Sequence, residues 1–378
     1  MSCPFNNICG GCSFRDLPLK DYRQQKIDQV RKTLSSIAQQ NFSISAPVFI
    51  NDNTRRRASF AFAKHKGQIV LGFNAHKSND IIDIPSCALL TPKINSSIAA
   101  VRYLLETITK VEISDGNRKN RKISHIDSGD IWITETDNGL DIVLEFPQEP
   151  NLDIRQIIFE FISSQDAIIR ISHRKASLSE AETIVEKAKP FITIAGYSVF
   201  VPAGTFLQPS KEGEQALISA VLKYLDNTSG NIADLFCGVG TFSYALSTVA
   251  NCKVTAVDSS EKLLSGFRDS LNRQMINNVE IKSRNLFKYP LEGKELCSFN
   301  AIVFDPPRAG AKEQVQAIAS LPAEQKPQKI IAVSCNPNTF VRDAEILCAG
   351  GYNLVDITIV DQFIYSPHCE LVALFTKA

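Results

Sequence analysis

From Gly230 onward, short apolar runs alternate with helix-like stretches, and no other feature of the 378-residue chain restricts its fold as strongly. Residues 232–236, 254–257, 301–304 and 330–333 read as buried strands, because each is a brief apolar run bounded by glycine or polar residues. Residues 242–249 and 259–275 read as helices, and the later strands are likewise followed by helical stretches. Such alternation demands parallel crossovers, so it predicts a doubly wound sheet. Two further strand-like runs, 354–360 and 370–375, close the chain around a loop.

The first strand ends in Asp234-Leu235-Phe236-Cys237-Gly238-Val239-Gly240-Thr241. Glycines there let backbone amides approach a ligand closely at a helix N-terminus. Asp258 ends the next strand, where an acidic side chain accepts both hydrogen bonds of a ribose diol. The third glycine of a dinucleotide fingerprint is missing, since Thr241-Phe242-Ser243 follows. That disfavours NAD and FAD and favours a nucleoside without a pyrophosphate, such as S-adenosylmethionine.

Two more motifs fall at strand ends, where open α/β sheets bind ligands. Asp305-Pro306-Pro307-Arg308 follows one apolar run and Ser334-Cys335-Asn336-Pro337 another. A cysteine on such a loop is a candidate nucleophile. Pro367-His368-Cys369-Glu370 precedes the last strand and offers two bases, Glu370 and His368, which spacing alone does not separate. Cys252, Cys297, Cys348 and Cys369 read as structural. A methyl donor, a thiolate and a base together suit carbon 5 of uracil. Addition at carbon 6 makes carbon 5 nucleophilic, and a base then removes its proton.

The front of the chain differs. Residues 1–125 carry a net charge of +10 and residues 126–378 a net of −9, which points to a polyanion held by the N-terminal part. Residues 18–38 read as a basic amphipathic helix with Leu19, Tyr22, Ile27, Val30, Leu34 and Ile37 on its apolar side. Residues 55–62 and 67–73 read as one hairpin, and 131–136 with 140–146 as another across Asp137-Asn138-Gly139. Arg55-Arg56-Arg57 are assigned to RNA phosphates, and Phe60 and Phe62 to the core. Cys3, Cys9 and Cys12 form C-x5-C-x2-C, with Cys87 as fourth ligand, a set that suits an iron–sulfur cluster better than zinc. His65 and His76 keep zinc as the alternative.

Hydrophobic residues at 44% and charged residues at 21% are those of a globular protein. No apolar run approaches the roughly 18 residues of a membrane span. The N-terminus lacks a signal-peptide pattern, so a cytoplasmic protein with reduced or metal-bound cysteines is expected.

Taken together, these motifs resemble the RNA uracil-C5 methyltransferases that make 5-methyluridine. The resemblance rests on the four cysteines, Phe206-Leu207-Gln208, residues 234–240, Asp305 to Arg308, Ser334 to Pro337, and Pro367 to Glu370. It implies Cys335 as nucleophile and Glu370 as the base. It implies Gln208, Phe236, Asp258 and Asp305 as S-adenosylmethionine ligands, with Thr241 and Asn285 as weaker candidates. It implies a 4Fe-4S cluster on Cys3, Cys9, Cys12 and Cys87, and structured RNA as partner, with no membrane and no obligate protein partner. The chain starts at the cysteine cluster, like short members that lack an N-terminal barrel and modify 23S ribosomal RNA. Ser210 replaces a usual Asn, and Ile364-Tyr365 replaces a common Pro-His pair.

The expected architecture is therefore α/β. A Rossmann-like methyltransferase domain at 201–378 follows a strand-rich α+β part, with 1–90 holding the cluster and a basic RNA-binding segment and 91–200 continuing it. The expected activity is methylation of a uridine in 23S ribosomal RNA. Rival readings are a tRNA uracil-C5 methyltransferase, a cytosine-C5 methyltransferase, a non-catalytic RNA-binding protein of the same fold, and an NAD-dependent oxidoreductase.

Overall fold

The computed structural model describes residues 3–37, 41–115, 122–177 and 179–378. They form two compact units, each assembled from separate stretches of chain. One contains Met1–Asp16, Asn51–Ile192 and Val201–Ser210, and the other Leu17–Ile50, Thr193–Phe200 and Lys211–Ala378. This partition differs from the expected boundaries at 90 and 200. The stretch Leu17–Ile50, expected with the N-terminal segment, belongs to the C-terminal unit.

The reason is pairing and burial. Ser43–Ile44 and Val48–Phe49 lie parallel to the strand Tyr352–Asp361. Before them, the helix Leu19–Thr33 and a 3-10 turn, Leu34–Ile37, bury Val30, Leu34 and Ile37 in the same core. Each such side chain contributes about 2 kcal/mol on burial. The helix carries Asp21 in its first turn and Arg31 and Lys32 in its last, which complements its dipole. Its apolar face matches expectation at Tyr22 and Val30, whereas Leu19 is exposed. Ala38, the expected end, lies outside the described residues.

In the first unit, a seven-stranded sheet runs in the order Glu182–Glu186, Ile168–Arg174, Gly139–Glu145, Ser128–Thr136, Arg57–His65, Gln68–Asn74, Ile81–Asp83. Both expected hairpins are present. The first turns on Lys66 and Gly67, both at positive φ, as a tight hairpin needs. Helices Pro92–Ile108 and Leu152–Ser163 add to the strand-rich expectation and bury Ile94, Ile98, Val101, Leu105, Ile154 and Ile158 in the core of this sheet. The second helix is the crossover that makes Gly139–Glu145 and Ile168–Arg174 parallel.

The second unit holds the doubly wound sheet. Its order is Ser43–Ile44, Tyr352–Asp361, Glu370–Lys377, Lys329–Ser334, Ala301–Phe304, Gly230–Leu235, Cys252–Asp258, Val279–Ser283. The four strands from Lys329–Ser334 to Cys252–Asp258, and the edge strand beyond, are mutually parallel. Glu370–Lys377 is antiparallel to both neighbours. That reversal brings the first residue of the last strand to the edge where the parallel strands end. No helix among the described residues is long and apolar enough to cross a membrane.

Candidate active site

Five of the anticipated residues follow one another along that edge. Glu370 begins its strand; Cys335 and Asp305 each follow the last residue of theirs, as does Phe236; Asp258 ends the fifth. The strands are adjacent in that order. Ser334 pairs with Leu371, so Cys335 and Glu370 are the next positions of the same register.

The glycine loop is shaped as its sequence requires. Phe236, Gly238 and Gly240 all have positive φ. A Cβ on Gly240 would lie 2.5 Å from the Phe267 ring, whereas one on Gly238 would meet nothing within 4 Å. The space over Gly238 is thus open to a ligand, and Gly240 is there for packing. Asp258 closes the loop, accepting from the backbone N–H of Gly238 at 3.0 Å and of Ser260 at 2.9 Å. Its carboxylate keeps further lone pairs for a diol. The Phe236 ring is half-buried, 5.3 Å from that of Phe287. Asn285 accepts from the N–H groups of Phe287 and Lys288 and so shapes that turn. Thr241 opens the helix Thr241–Ser247. Asp234, expected only as part of the loop, is fully buried; its carboxyl accepts from Ser243 and is pushed up to about 7 by desolvation. Gln208 is buried in the first unit, where its carbonyl accepts from Arg56 at 3.0 Å.

Cys335 sits between the strand Lys329–Ser334 and the helix Pro337–Ala349, whose N-cap is Asn336. Asn336 donates from its amide to the Arg308 carbonyl at 3.1 Å, and Thr339 donates to the same oxygen at 3.3 Å. The Asp305-Pro306-Pro307-Arg308 loop is thereby tied to the cysteine loop. Burial pushes the Cys335 thiol up to about 11, aided by the charges of Glu370 and Asp305 and opposed by Arg308. Glu370 is buried, and burial followed by the Asp305 charge holds its carboxyl well above the usual range. Its Oε1 accepts from Gln362 at 3.1 Å, and its Oε2 has no hydrogen-bond partner among the described residues. Desolvation likewise raises Asp305. A cavity of about 280 Å³ opens here, lined by Lys26, Gln29, Arg308, Cys335, Asn336 and His368 among others. His368 is exposed at its mouth, with its imidazole held below the usual range by partial burial and then by the Arg308 and Lys26 charges.

Sequence reasoning missed a group behind this loop. Lys26 is buried, 2.8 Å from Asp361, and Tyr22 donates to the same carboxylate. The signal was available: Lys26 interrupts the stripe Tyr22, Lys26, Val30 at helical spacing.

In the first unit, Cys3, Cys9, Cys12 and Cys87 line one largely apolar cavity of about 200 Å³ beside Arg55. All four are free. Burial raises Cys12 to about 12, with the charges of Cys87, Cys9 and Cys3 adding to it. Among the described residues, no group of three or more His, Cys, Asp or Glu forms a metal-ion site. His65 and His76 are exposed and line no part of this cavity.

The assignment of Arg55-Arg56-Arg57 to phosphates needs correction. Arg56 is buried and the other two half-buried. Their guanidinium groups donate to the carbonyls of Arg57, Gln208 and Leu207. Arg57 also lies 4.5 Å over the exposed Phe206 ring. Arg56 and Arg57 brace the segment Phe206-Leu207-Gln208, because buried charge must find acceptors nearby. Phe60 and Phe62 are in the core, as expected.

A doubly wound sheet with a glycine loop after its first strand and an acidic end to its second defines the Rossmann-like class to which nucleoside-dependent methyltransferases belong. The family model of tRNA (Uracil-5-)-methyltransferase matches residues 192–378. An uncharacterized RNA methyltransferase of Brucella melitensis is 36% identical over 377 residues, covering 100% of this chain and 84% of that protein. The 23S rRNA (uracil(1939)-C(5))-methyltransferase RlmD of Haemophilus influenzae is 28% identical, over 97% of this chain and 80% of its own length. The crystal structure of Pyrococcus abyssi tRNA (uracil-54, C5)-methyltransferase in complex with S-adenosyl-L-homocysteine shares the fold, with a TM-score of 0.73, 22% identity, and coverage of 100% of this chain and 87% of that one. The chain belongs to the tRNA (uracil-5-)-methyltransferase family and is an RNA methyltransferase.

Proposed function

We propose that this enzyme transfers a methyl group to carbon 5 of a uridine in structured RNA, with 23S ribosomal RNA as the favoured substrate. S-adenosylmethionine, when bound at the glycine loop, supplies the electrophilic methyl. The carrying observation is the order Glu370, Cys335, Asp305, Phe236, Asp258 along one sheet edge. Adjacent strands are about 4.8 Å apart, so thiol and base address one ring while the donor site lies a few strands away.

The Cys335 thiolate adds to carbon 6 of a uracil flipped out of its stack, and the ring electrons move onto the 4-oxo group. Carbon 5 then takes up the methyl as its bond to sulfur breaks, and the electron pair stays on the sulfur of the departing S-adenosylhomocysteine. Glu370 accepts the proton from carbon 5, the 5,6 double bond re-forms and the thiolate leaves. Glu370 fits the base better than His368, because it is buried in the register next to Cys335, whereas His368 is exposed at the cavity mouth. The open Gly238 cradle and Asp258 fit an adenosine ribose, with Phe236 and Asp305 as further contacts and Thr241 as a weaker one. Asn285 contributes through its turn.

In the first unit, Cys3, Cys9, Cys12 and Cys87 would hold a 4Fe-4S cluster. Four thiols around one apolar cavity fit a cluster, which spreads its ligands over its own volume, better than a single zinc ion. It would supply a fold-stabilising cross-link between the N-terminal segment and Cys87.

RNA containing 5-fluorouridine, incubated with S-adenosylmethionine, should trap a covalent adduct with the protein. An adduct that persists in Cys335→Ala would refute the nucleophile. Mass spectrometry of ribosomal and transfer RNA from a strain lacking the gene should find one 5-methyluridine missing from 23S ribosomal RNA. Its loss from transfer RNA instead would move the substrate.

A further inference from the structure

We propose that one face of the N-terminal helix Leu19–Thr33 positions the base: Tyr22, Lys26 and Asp361 clamp the loop that delivers Glu370, and thereby govern proton removal rather than thiolate addition. The proposal rests on the reading of Glu370 as the base.

The geometry is specific. Lys26 is 2% exposed and Asp361 1% exposed, with 2.8 Å between Nζ and Oδ1. The same ammonium donates to the carbonyl of Ser366 at 2.8 Å and to that of His368. The Tyr22 hydroxyl donates to Asp361 Oδ2 and accepts from the backbone N–H of Tyr365 at 2.9 Å. The rings of Tyr22 and Tyr365 lie 4.7 Å apart. Gln29, one turn along, donates to the Pro367 carbonyl at 3.3 Å. Four consecutive loop residues, Tyr365 to His368, are thus gripped by one helix, and Glu370 follows two positions later.

Stability does not account for this. A buried ion pair is often no better than an apolar packing of equal volume, so its presence is weak evidence of a stabilising purpose. What it adds is direction: three acceptors around Nζ fix where the loop runs. The loop needs fixing, because Tyr365 has a φ of 57°, a left-handed conformation that is strained for a residue with a side chain. Gln362, beside Asp361, bonds Glu370 itself at 3.1 Å. The clamp therefore holds the loop from Asp361 to His368 that leads into the base, while Cys335 is held separately by Asn336 and the Arg308 loop.

The test uses the full-length enzyme, isotope-labelled S-adenosylmethionine, and total RNA from a strain lacking the gene. Glu370→Gln should accumulate a methylated protein–RNA adduct and Cys335→Ala none. Tyr22→Phe and Lys26→Met should behave as Glu370→Gln does, with the adduct building up and free 5-methyluridine falling by roughly 100-fold, the scale of a 1 Å misplacement. Affinity for S-adenosylmethionine should be unchanged in both. If Glu370→Gln builds no adduct, the base is misassigned and the reading beneath this proposal fails. If it does, yet folded Tyr22→Phe and Lys26→Met turn over normally, or lose activity without adduct, the clamp is overturned. Should Lys26→Met fail to fold, Tyr22→Phe decides, since it deletes one hydroxyl and keeps the ion pair.

Discussion

Covalent capture of RNA by Cys335 should accelerate steeply with pH. The thiol is raised to about 11, first by burial and then by the charges of Glu370 and Asp305. The thiolate is the nucleophile. At pH 7 about one Cys335 in 10,000 is ionised, and at pH 9 about one in 100. The sign follows: an acid shifted upward is protonated at neutrality, and each added pH unit releases about ten times more nucleophile. Adduct formation should therefore rise roughly tenfold per unit from pH 7 to 9. Arg308 opposes the shift by its charge, while its carbonyl is held by Asn336 and Thr339. Arg308→Gln removes the charge and keeps those backbone contacts, so the profile should move to higher pH, with a rate at pH 8 at least about threefold lower. Single-turnover mixing with 5-fluorouridine RNA and S-adenosylmethionine, read on denaturing gels, reports addition and methyl transfer free of the elimination step, because fluorine at carbon 5 leaves no proton to remove. A rate flat between pH 7 and 9, or a faster Arg308→Gln enzyme, would sink the electrostatic argument.

Three further outcomes are expected. Gly240→Ala places a methyl 2.5 Å from the Phe267 ring at a φ of 91°, so it should destabilise the fold by about 2–4 kcal/mol in urea unfolding. Unchanged stability would mean that the loop relaxes freely. Asp258→Ala removes the acceptor for the Gly238 and Ser260 N–H groups, and should weaken S-adenosylmethionine binding by roughly tenfold or more in calorimetry. Anaerobically purified protein should show a broad charge-transfer absorption that is lost in Cys12→Ser; a colourless protein with stoichiometric zinc would replace the cluster.

How much of this was legible beforehand varies by residue. The catalytic sheet was, because strand–helix alternation and the glycine loop are local patterns whose physics reaches only a few residues. Cys335, Asp305, Phe236 and Asp258 could be placed at strand ends for the same reason. Glu370 was legible from its motif as one of two candidate bases, and only the resemblance chose it over His368; its arrival at the same edge depends on the antiparallel last strand. The helices Pro92–Ile108 and Leu152–Ser163 escaped notice in a stretch read for hairpins. Arg55-Arg56-Arg57 misled, because a charge run looks the same whether it faces water or backbone carbonyls.

Residue by residue, the amino-acid order alone determined the kind of fold, the turn at Gly238 and Gly240, and which thiol lies after an apolar strand. Only tertiary structure decided that the helix Leu19–Thr33 serves the C-terminal unit, that Cys87 joins three cysteines more than 70 residues away, and that Lys26 is buried against Asp361. These are contacts between distant parts of the chain. Their formation depends on the summed burial of a whole core, and no short window of sequence carries that information.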